Sequence, residues 1–230
     1  MKAGVIIFPG SNCDHDSLYV MSEIYGLETH ELWHKEKDLK GCDFIIVPGG
    51  FSYGDYLRSG AIARFAPIME KVIEFANKGG YVLGICNGFQ ILTEAHLLPG
   101  ALLRNINQKF ICKNVYIKAQ TNKTAITHLI PADKALKIPI AHAEGRFIAD
   151  EHTLDELEKN DQIIFRYCDD KGNVTPESNP NGSLNNIAGI TNKGRNVFGL
   201  MPHPERASDN VLGNTDGRLL FNSIIASFQK

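Results

Sequence analysis

The chain has 230 residues, 43% of them hydrophobic, and 24 Lys and Arg against 26 Asp and Glu, a formal net charge of -2. That content excludes a disordered chain, and the balance offers no basic stripe for nucleic acid or an anionic membrane. The first apolar run stops at Pro9-Gly10, too short for a signal-peptide core, and no segment approaches the roughly 18 apolar residues of a membrane span, so a cytoplasmic protein with neither nucleic-acid nor membrane partners is expected.

In chain order, Val5 to Phe8 reads as a short apolar strand, followed by a helical stretch from about Asp14 to Tyr25 that stops at Gly26. Phe44 to Val47 is a second buried strand, closed by Pro48-Gly49-Gly50. The spacing of Ile62, Phe65, Ile68, Met69, Val72, Ile73 and Ala76 predicts one long amphipathic helix over Ala61 to Asn77, with Gly79 as its stop. Tyr81 to Ile85 is a third strand. Strands alternating with helices, with apolar runs short enough to be buried on both faces, predict an α/β fold with a mostly parallel central sheet and helices on both faces.

The second half changes character. Asn114 to Ala119, Ile163 to Cys168, Ile187 to Thr191 and Val197 to Leu200 read as strands separated by turn signals such as Asp169-Asp170-Lys171-Gly172 and Asn192-Lys193-Gly194, and are expected as antiparallel additions to the same sheet. A last helix is predicted over Asp216 to Phe228. No repeat, linker or low-complexity segment divides the chain, so a single domain over residues 1–230 is expected. The five cysteines, Cys13, Cys42, Cys86, Cys112 and Cys168, are widely spaced with no CxxC pair, which suggests free thiols and neither a disulfide framework nor a zinc knuckle.

Three stretches carry chemistry. Gly84-Ile85-Cys86-Asn87-Gly88 places a thiol where a strand gives way to a helix, with small residues two positions to either side, as a tight nucleophile turn requires. Amides at a helix start favour a thiolate and lower a cysteine pKa from about 8.5 into the range of roughly 3.5 to 7.5. A small core cysteine beside helix-packing glycines is the plain alternative. Met201-Pro202-His203-Pro204-Glu205 offers a base and an orienting carboxylate: residues two apart in an extended segment point the same way, and the prolines disfavour helix. Cys86, His142 and His203 as zinc ligands are a remote alternative, because no close ligand pair anchors them. Pro48-Gly49-Gly50-Phe51-Ser52-Tyr53-Gly54-Asp55 follows a buried strand. Its glycines let backbone amides approach a ligand closely, so an amide near Gly50 or Phe51 would pair with that of Asn87 around an oxyanion. A phosphate loop is disfavoured, since neither GxxxxGK(S/T) nor a strand-linked GxGxxG is present.

A glycine-rich loop, a GxCxGxQ elbow and a late HxE, in this order, resemble the class I (triad) glutamine amidotransferases. More narrowly, the chain is similar to the family of glutaminase subunits of phosphoribosylformylglycinamidine synthases, from purine biosynthesis. FPGSNCDHD (Phe8 to Asp16), GGFSYGDYLRSGAIA (Gly49 to Ala63), GICNGFQILTE (Gly84 to Glu94), NPNGS (Asn179 to Ser183), IAGI (Ile187 to Ile190) and MPHPER (Met201 to Arg206) carry the likeness, which covers nearly the whole length. One departure is AHAEGRF, with Ala143 where the family more often has glycine.

The resemblance implies a flavodoxin-like, class I glutamine amidotransferase-like fold, with Cys86 as nucleophile, His203 as general base and then acid, and Glu205 as its orienter. Gly49, Gly50, Phe51 and Asn87 would serve the oxyanion and substrate. Gln90, one helical turn after Cys86, would help to hold glutamine, or else face solvent. Arg146 and Arg206 would pair with carboxylates of substrate or partner, or remain plain surface residues. The implied reaction releases glutamate and ammonia and delivers the ammonia to a separate synthetase subunit, assisted by a small accessory subunit, that converts formylglycinamide ribonucleotide to formylglycinamidine ribonucleotide. No metal or cofactor is implied in this chain; ATP and magnesium would be used by the partner. A cysteine hydrolase or glyoxalase-type enzyme on a similar sheet is the alternative enzyme class, and the glutamate two residues after His203 speaks against it. A binding module with a dead site is the third reading, disfavoured by the complete triad.

Overall fold

Apolar runs in the first half become the parallel side of one sheet. The computed structural model describes residues 1–229. In it, β1 (Lys2–Ile7), β2 (Glu28–Trp33), β3 (Phe44–Val47) and β4 (Tyr81–Ile85) pair in parallel. The four residues of β3 are buried on both faces, as a parallel strand covered by helices requires. β5 (Ala101–Leu103) leaves this sheet and forms a two-stranded antiparallel ribbon with β8 (Arg146–Ile148). β6 (Ile111–Ala119), β7 (Ala135–His142), β9 (Ile163–Cys168), β10 (Ile187–Thr191) and β11 (Val197–Leu200) complete a nine-stranded sheet of order β2-β1-β3-β4-β11-β10-β9-β6-β7.

The helices are α1 (Asp14–Tyr19), α2 (Pro67–Asn77), α3 (Asn87–Glu94), α4 (Glu151–Lys159) and α5 (Arg218–Ala226). α3 packs on β3, β4 and β11, so the helix that follows the elbow sits over the middle of the sheet. α1 continues as a wider turn over Val20–Ile24, and Gly26, at φ 63°, ends it as expected.

The mostly parallel sheet with antiparallel additions is as the sequence predicts, with one correction. Val197–Leu200 pairs antiparallel with β10 but parallel with β4, so it is the seam between the two halves and no peripheral addition. Apolar runs do not encode strand direction, and only the partner on each side decides it.

Two helix boundaries also differ. The helix predicted from Ala61 to Asn77 is broken: Ala63–Phe65 is a short turn of 3-10 helix, Ala66 is extended at φ -62° and ψ 140°, and α2 starts at Pro67. The proline disfavours helical geometry in the residue before it, an effect that apolar spacing does not register. The last helix is shorter than Asp216 to Phe228 at both ends.

β2, β5, β7, β8 and α4 were not anticipated. β7 alternates buried and less buried residues but contains Pro139, which is tolerated because β7 lies at the sheet edge. α4 buries only Leu157, so its pattern is carried by polar residues and by the Asp150 side chain, which caps the Thr153 amide at 2.7 Å. Among the described residues no helix is long and apolar enough to cross a membrane.

Candidate active site

β4 and β11 lie side by side in parallel, with Leu200 opposite Ile85, so the residues just beyond both strand ends meet. Cys86 follows β4 at φ 52° and ψ -106°, a conformation that costs a non-glycine residue of order 1–3 kcal/mol and is held by its surroundings. Those surroundings exclude side chains. A Cβ on Gly84 would lie 2.6 Å from Leu92 Cδ1 and 2.7 Å from the Gly88 carbonyl, and one on Gly88 would overlap the Val47 carbonyl oxygen. Cys86 therefore stands on a strained elbow at the N-terminus of α3, buried but open to a cavity, with its Sγ 3.7 Å from the Ala141 carbonyl oxygen.

His203 follows β11 and is tied to the antiparallel half by its amide, which donates to the Pro139 carbonyl at 2.8 Å. Its Nδ1 lies 2.6 Å from Glu205 Oε1, and both side chains are almost wholly buried. The pair does not come from an extended segment. Pro204–Ala207 forms a 3-10 turn, and it is this turn that swings Glu205 back beneath the ring.

The Glu205 carboxylate accepts the Nδ1 proton, which leaves Nε2 buried with no hydrogen-bond partner, a base with a free lone pair or an acid with a free proton. Burial alone would lower the pKa of His203. The facing Glu205 carboxylate outweighs it, assisted by the Cys86 and Cys13 sulfurs, and holds the imidazole well above its ordinary value.

A second thiol, which the sequence did not single out for this place, shares the base. Cys13 Sγ, a ring nitrogen of His203 and a carboxylate oxygen of Glu205 lie within 4.8 Å of one another, and Cys13 occupies the N-cap position of α1. Arg206 donates to that sulfur at 3.1 Å and to Asp16 Oδ2 at 3.1 Å, so Arg206 is a half-buried scaffold cation and no free surface charge. Burial pushes the Cys13 thiol up despite the facing His203. Cys86, His142 and His203 do not form a ligand cluster; the guanidinium beside Cys13 disfavours a cation in the cluster that does exist.

Gly49 has a role that the sequence did not show: space. A Cβ there would lie 2.7 Å from His203 Cε1 and 3.1 Å from Cys13 Sγ. Of the loop amides expected around an oxyanion, that of Phe51 already donates to the Gly10 carbonyl at 2.8 Å. The Gly50 amide has no acceptor among the described residues, and that of Asn87, in the first turn of α3, has none within its helix. Gly50 and Asn87 are thus the available pair.

Gln90 is buried and does not face solvent. Its Nε2 donates to the Glu144 carbonyl at 2.5 Å and its Oε1 accepts from Asn87 Nδ2 at 2.9 Å. It lines, with Cys86, a polar cavity of about 290 Å³ whose far wall carries Asp55, Arg104 and Glu144. Ala143 in that wall takes no left-handed conformation, so a residue with a Cβ fits without strain. Arg146 has a buried Nε without a partner.

His142 lies beneath the same cavity. Asn105 Nδ2 donates to the carbonyls of Lys109 and His142, so its Oδ1 is the acceptor that faces His142 Nδ1 at 3.0 Å, and the ring proton sits on Nδ1. Burial, helped by the nearby His203, lowers its pKa to about 4, and the ring is neutral.

The sequence profile of the CobB/CobQ-like glutamine amidotransferase domain matches residues 1–219. Over 230 residues, the full length of both chains, this chain is 56% identical to the phosphoribosylformylglycinamidine synthase subunit PurQ of Koribacter versatilis. It is 58% identical to the PurQ subunit of Chlorobaculum parvum over 98% of this chain and 90% of that one. Among solved structures, a chain of PurLQS from Thermotoga maritima superposes with a TM-score of 0.85 at 42% identity, over 99% of this chain and 98% of that one. The resemblance read from the elbow, the HxE and the narrower motifs agrees with all three.

Proposed function

The chain belongs to the CobB/CobQ-like glutamine amidotransferases and, within them, to the PurQ subunits, and on that premise we propose that it is the glutaminase of a phosphoribosylformylglycinamidine synthase. It hydrolyses glutamine to glutamate and ammonia, and the ammonia serves a synthetase that makes formylglycinamidine ribonucleotide in purine biosynthesis. The observation that carries the chemistry is the bare Nε2 of His203, held by Glu205 and buried beside the elbow of Cys86.

Each residue then has a step. His203 takes the thiol proton of Cys86, the thiolate Sγ attacks the side-chain amide carbon of glutamine, and the carbonyl oxygen, which gains the charge as its π bond opens, accepts from the Gly50 and Asn87 amides. The His203 imidazolium gives its proton to the departing nitrogen, ammonia leaves, and a thioester joins Cys86 to the glutamyl group. Water then attacks the thioester, His203 takes its proton, and glutamate and the thiol are released. Glu205 keeps the Nδ1 proton in place throughout.

Ammonia released to water at neutral pH is protonated and loses its nucleophilicity, so the site works inside an assembly. The partner is a synthetase subunit with a small accessory subunit, and ATP and magnesium are used there. Exposed apolar surface beside the cavity supports this: Phe51, which lines it, is 44% exposed, and Phe110, its ring centroid 6.5 Å from that of Phe51, is 51% exposed. The free thiols are in keeping with a cytoplasmic location. The partner switches turnover on by fixing the loop around residues 49–54, where Tyr53, Gly54 and Asp55 take positive φ in succession. Glutaminase turnover, titrated with the synthetase, accessory subunit, nucleotide substrate and ATP, rises with assembly. Equal turnover by the isolated chain would refute the coupling.

A further inference from the structure

Ser52 and Tyr53, consecutive residues of the glycine-rich loop, are held from opposite sides. The Ser52 amide donates to Asn87 Oδ1 at 3.1 Å, which ties the loop to the elbow. Tyr53 faces the other way. Its hydroxyl lies 2.6 Å from His34 Nδ1, the two rings meet edge to face at 5.4 Å, and its amide donates to the Pro9 carbonyl at 2.7 Å. His34 is a fixed post for this contact. It is buried, its amide donates at 3.0 Å to the carbonyl of Ile7 at the end of β1, and its own carbonyl accepts at 3.2 Å from the amide of Ile68 in the first turn of α2.

The loop conformation held in this way is costly. Tyr53, Asp55 and Leu57 have positive φ, of 55°, 54° and 71°, where a side chain crowds the backbone, and Ser52 Oγ is buried with no hydrogen-bond partner. A strained backbone of this kind persists only while its surroundings hold it. The turn that carries Tyr53 is closed by the Gly54 amide on the Phe51 carbonyl at 2.8 Å, so Tyr53 moves together with Phe51, which follows directly on the Gly50 amide. Neither His34 nor Tyr53 lines the cavity that holds Cys86, so the pair reaches the chemistry only through the loop.

We propose that Tyr53 and His34 are positioning residues for glutamine hydrolysis: their hydrogen bond latches the loop so that the Gly50 amide stays aimed at the oxyanion beside Cys86. The proposal rests on the glutaminase reading of the site. The Gly50 amide is needed most when the carbonyl oxygen gains charge, so the latch acts on turnover and little on substrate binding.

The test uses the full chain assembled with its synthetase and reads kcat and KM for glutamine beside the ammonium-dependent rate of the same complex. Tyr53→Phe removes one hydroxyl and keeps the ring. It is expected to lower kcat about tenfold, less than the roughly hundredfold for loss of an oxyanion donor itself, with KM within about twofold of the wild type. The ammonium-dependent rate stays unchanged, because the assembly is intact. His34→Leu gives the same loss of kcat, and the double variant loses no more than either, since all three remove one hydrogen bond. His34→Gln, which keeps a hydrogen-bonding atom for the hydroxyl, recovers part of the rate. Should His34→Leu misfold, Tyr53→Phe decides by itself. A wild-type kcat in Tyr53→Phe, a raised KM at unchanged kcat, losses that add in the double variant, or an ammonium-dependent rate that falls in step with kcat would each overturn the latch while leaving the glutaminase reading intact. A wild-type complex that releases no ammonia from glutamine would overturn both.

Discussion

The amide of Cys86 donates to the carbonyl of Leu200 at 2.8 Å, the last rung between β4 and β11 before the chain leads on to Cys86 from one strand and His203 from the other. The two ends stay level only while α3 packs closely over them, and Gly88 is the closest approach. Its missing Cβ would meet backbone, the Val47 carbonyl, which cannot rotate away as a side chain would. Gly88→Ala is expected to cost about 3 kcal/mol, the upper end for overpacking, read as a lower urea midpoint at unchanged slope. An unchanged midpoint would mean that the elbow is not close-packed.

His203→Ala removes the only base and acid of the mechanism, whereas Glu205→Gln leaves an amide that still touches the ring. The expected losses in kcat are about ten-thousandfold and about a hundredfold respectively. The sign of the pH effect follows from the raised pKa of His203: its proton is held above the ordinary imidazole range and lost as pH rises further. Glu205→Gln removes the main cause of the rise, so the limb of the profile that needs the imidazolium moves to lower pH. A Glu205→Ala variant with wild-type turnover at saturating glutamine would dismiss the triad.

Most of the candidate site was legible because its parts are local. The elbow needs glycines two residues either side of Cys86, and the HxE spacing places a carboxylate within reach of its imidazole; both needs are written in a few consecutive letters. What was not legible depends on distant partners. The direction of Val197–Leu200 is set by its neighbours, and Cys13 reaches His203 only because β1 and β3 are adjacent and the Cys13 amide bonds the Gly49 carbonyl at 3.1 Å. The contact made by NPNGS was hidden for the same reason, since Asn181 Nδ2 donates to the Gly145 carbonyl, 36 positions away.

Cys13 sharpens a labelling experiment. It too lies at a helix start beside His203, so position alone does not make Cys86 unique, but burial pushes the Cys13 thiol up and keeps it protonated. A diazoketone analogue of glutamine is expected to label Cys86 before Cys13, Cys42, Cys112 or Cys168, read by peptide mass spectrometry. Equal labelling of Cys13 and Cys86 would contradict the assignment of the nucleophile.

His142 gives a stability signature. Its pKa falls from an ordinary value of about 6.5 to about 4 on folding, so its contribution is present above about pH 6.5 and is lost as pH falls toward 4, where the unfolded chain takes up the proton first. The difference amounts to about 3 kcal/mol. Urea unfolding of wild type and His142→Gln at several pH values measures it. The stability difference between the two is expected to shift by that order between pH 7 and pH 4, and parallel curves would refute it.

In the proposed reaction the thiol of Cys86 only makes ammonia, and a separate synthetase uses it. The most direct measurement is formation of formylglycinamidine ribonucleotide by the assembled complex carrying Cys86→Ala, supplied with either glutamine or ammonium chloride. Product is expected from ammonium at a rate near that of the wild-type complex, and none from glutamine. Glutamine-dependent product from Cys86→Ala would contradict the account.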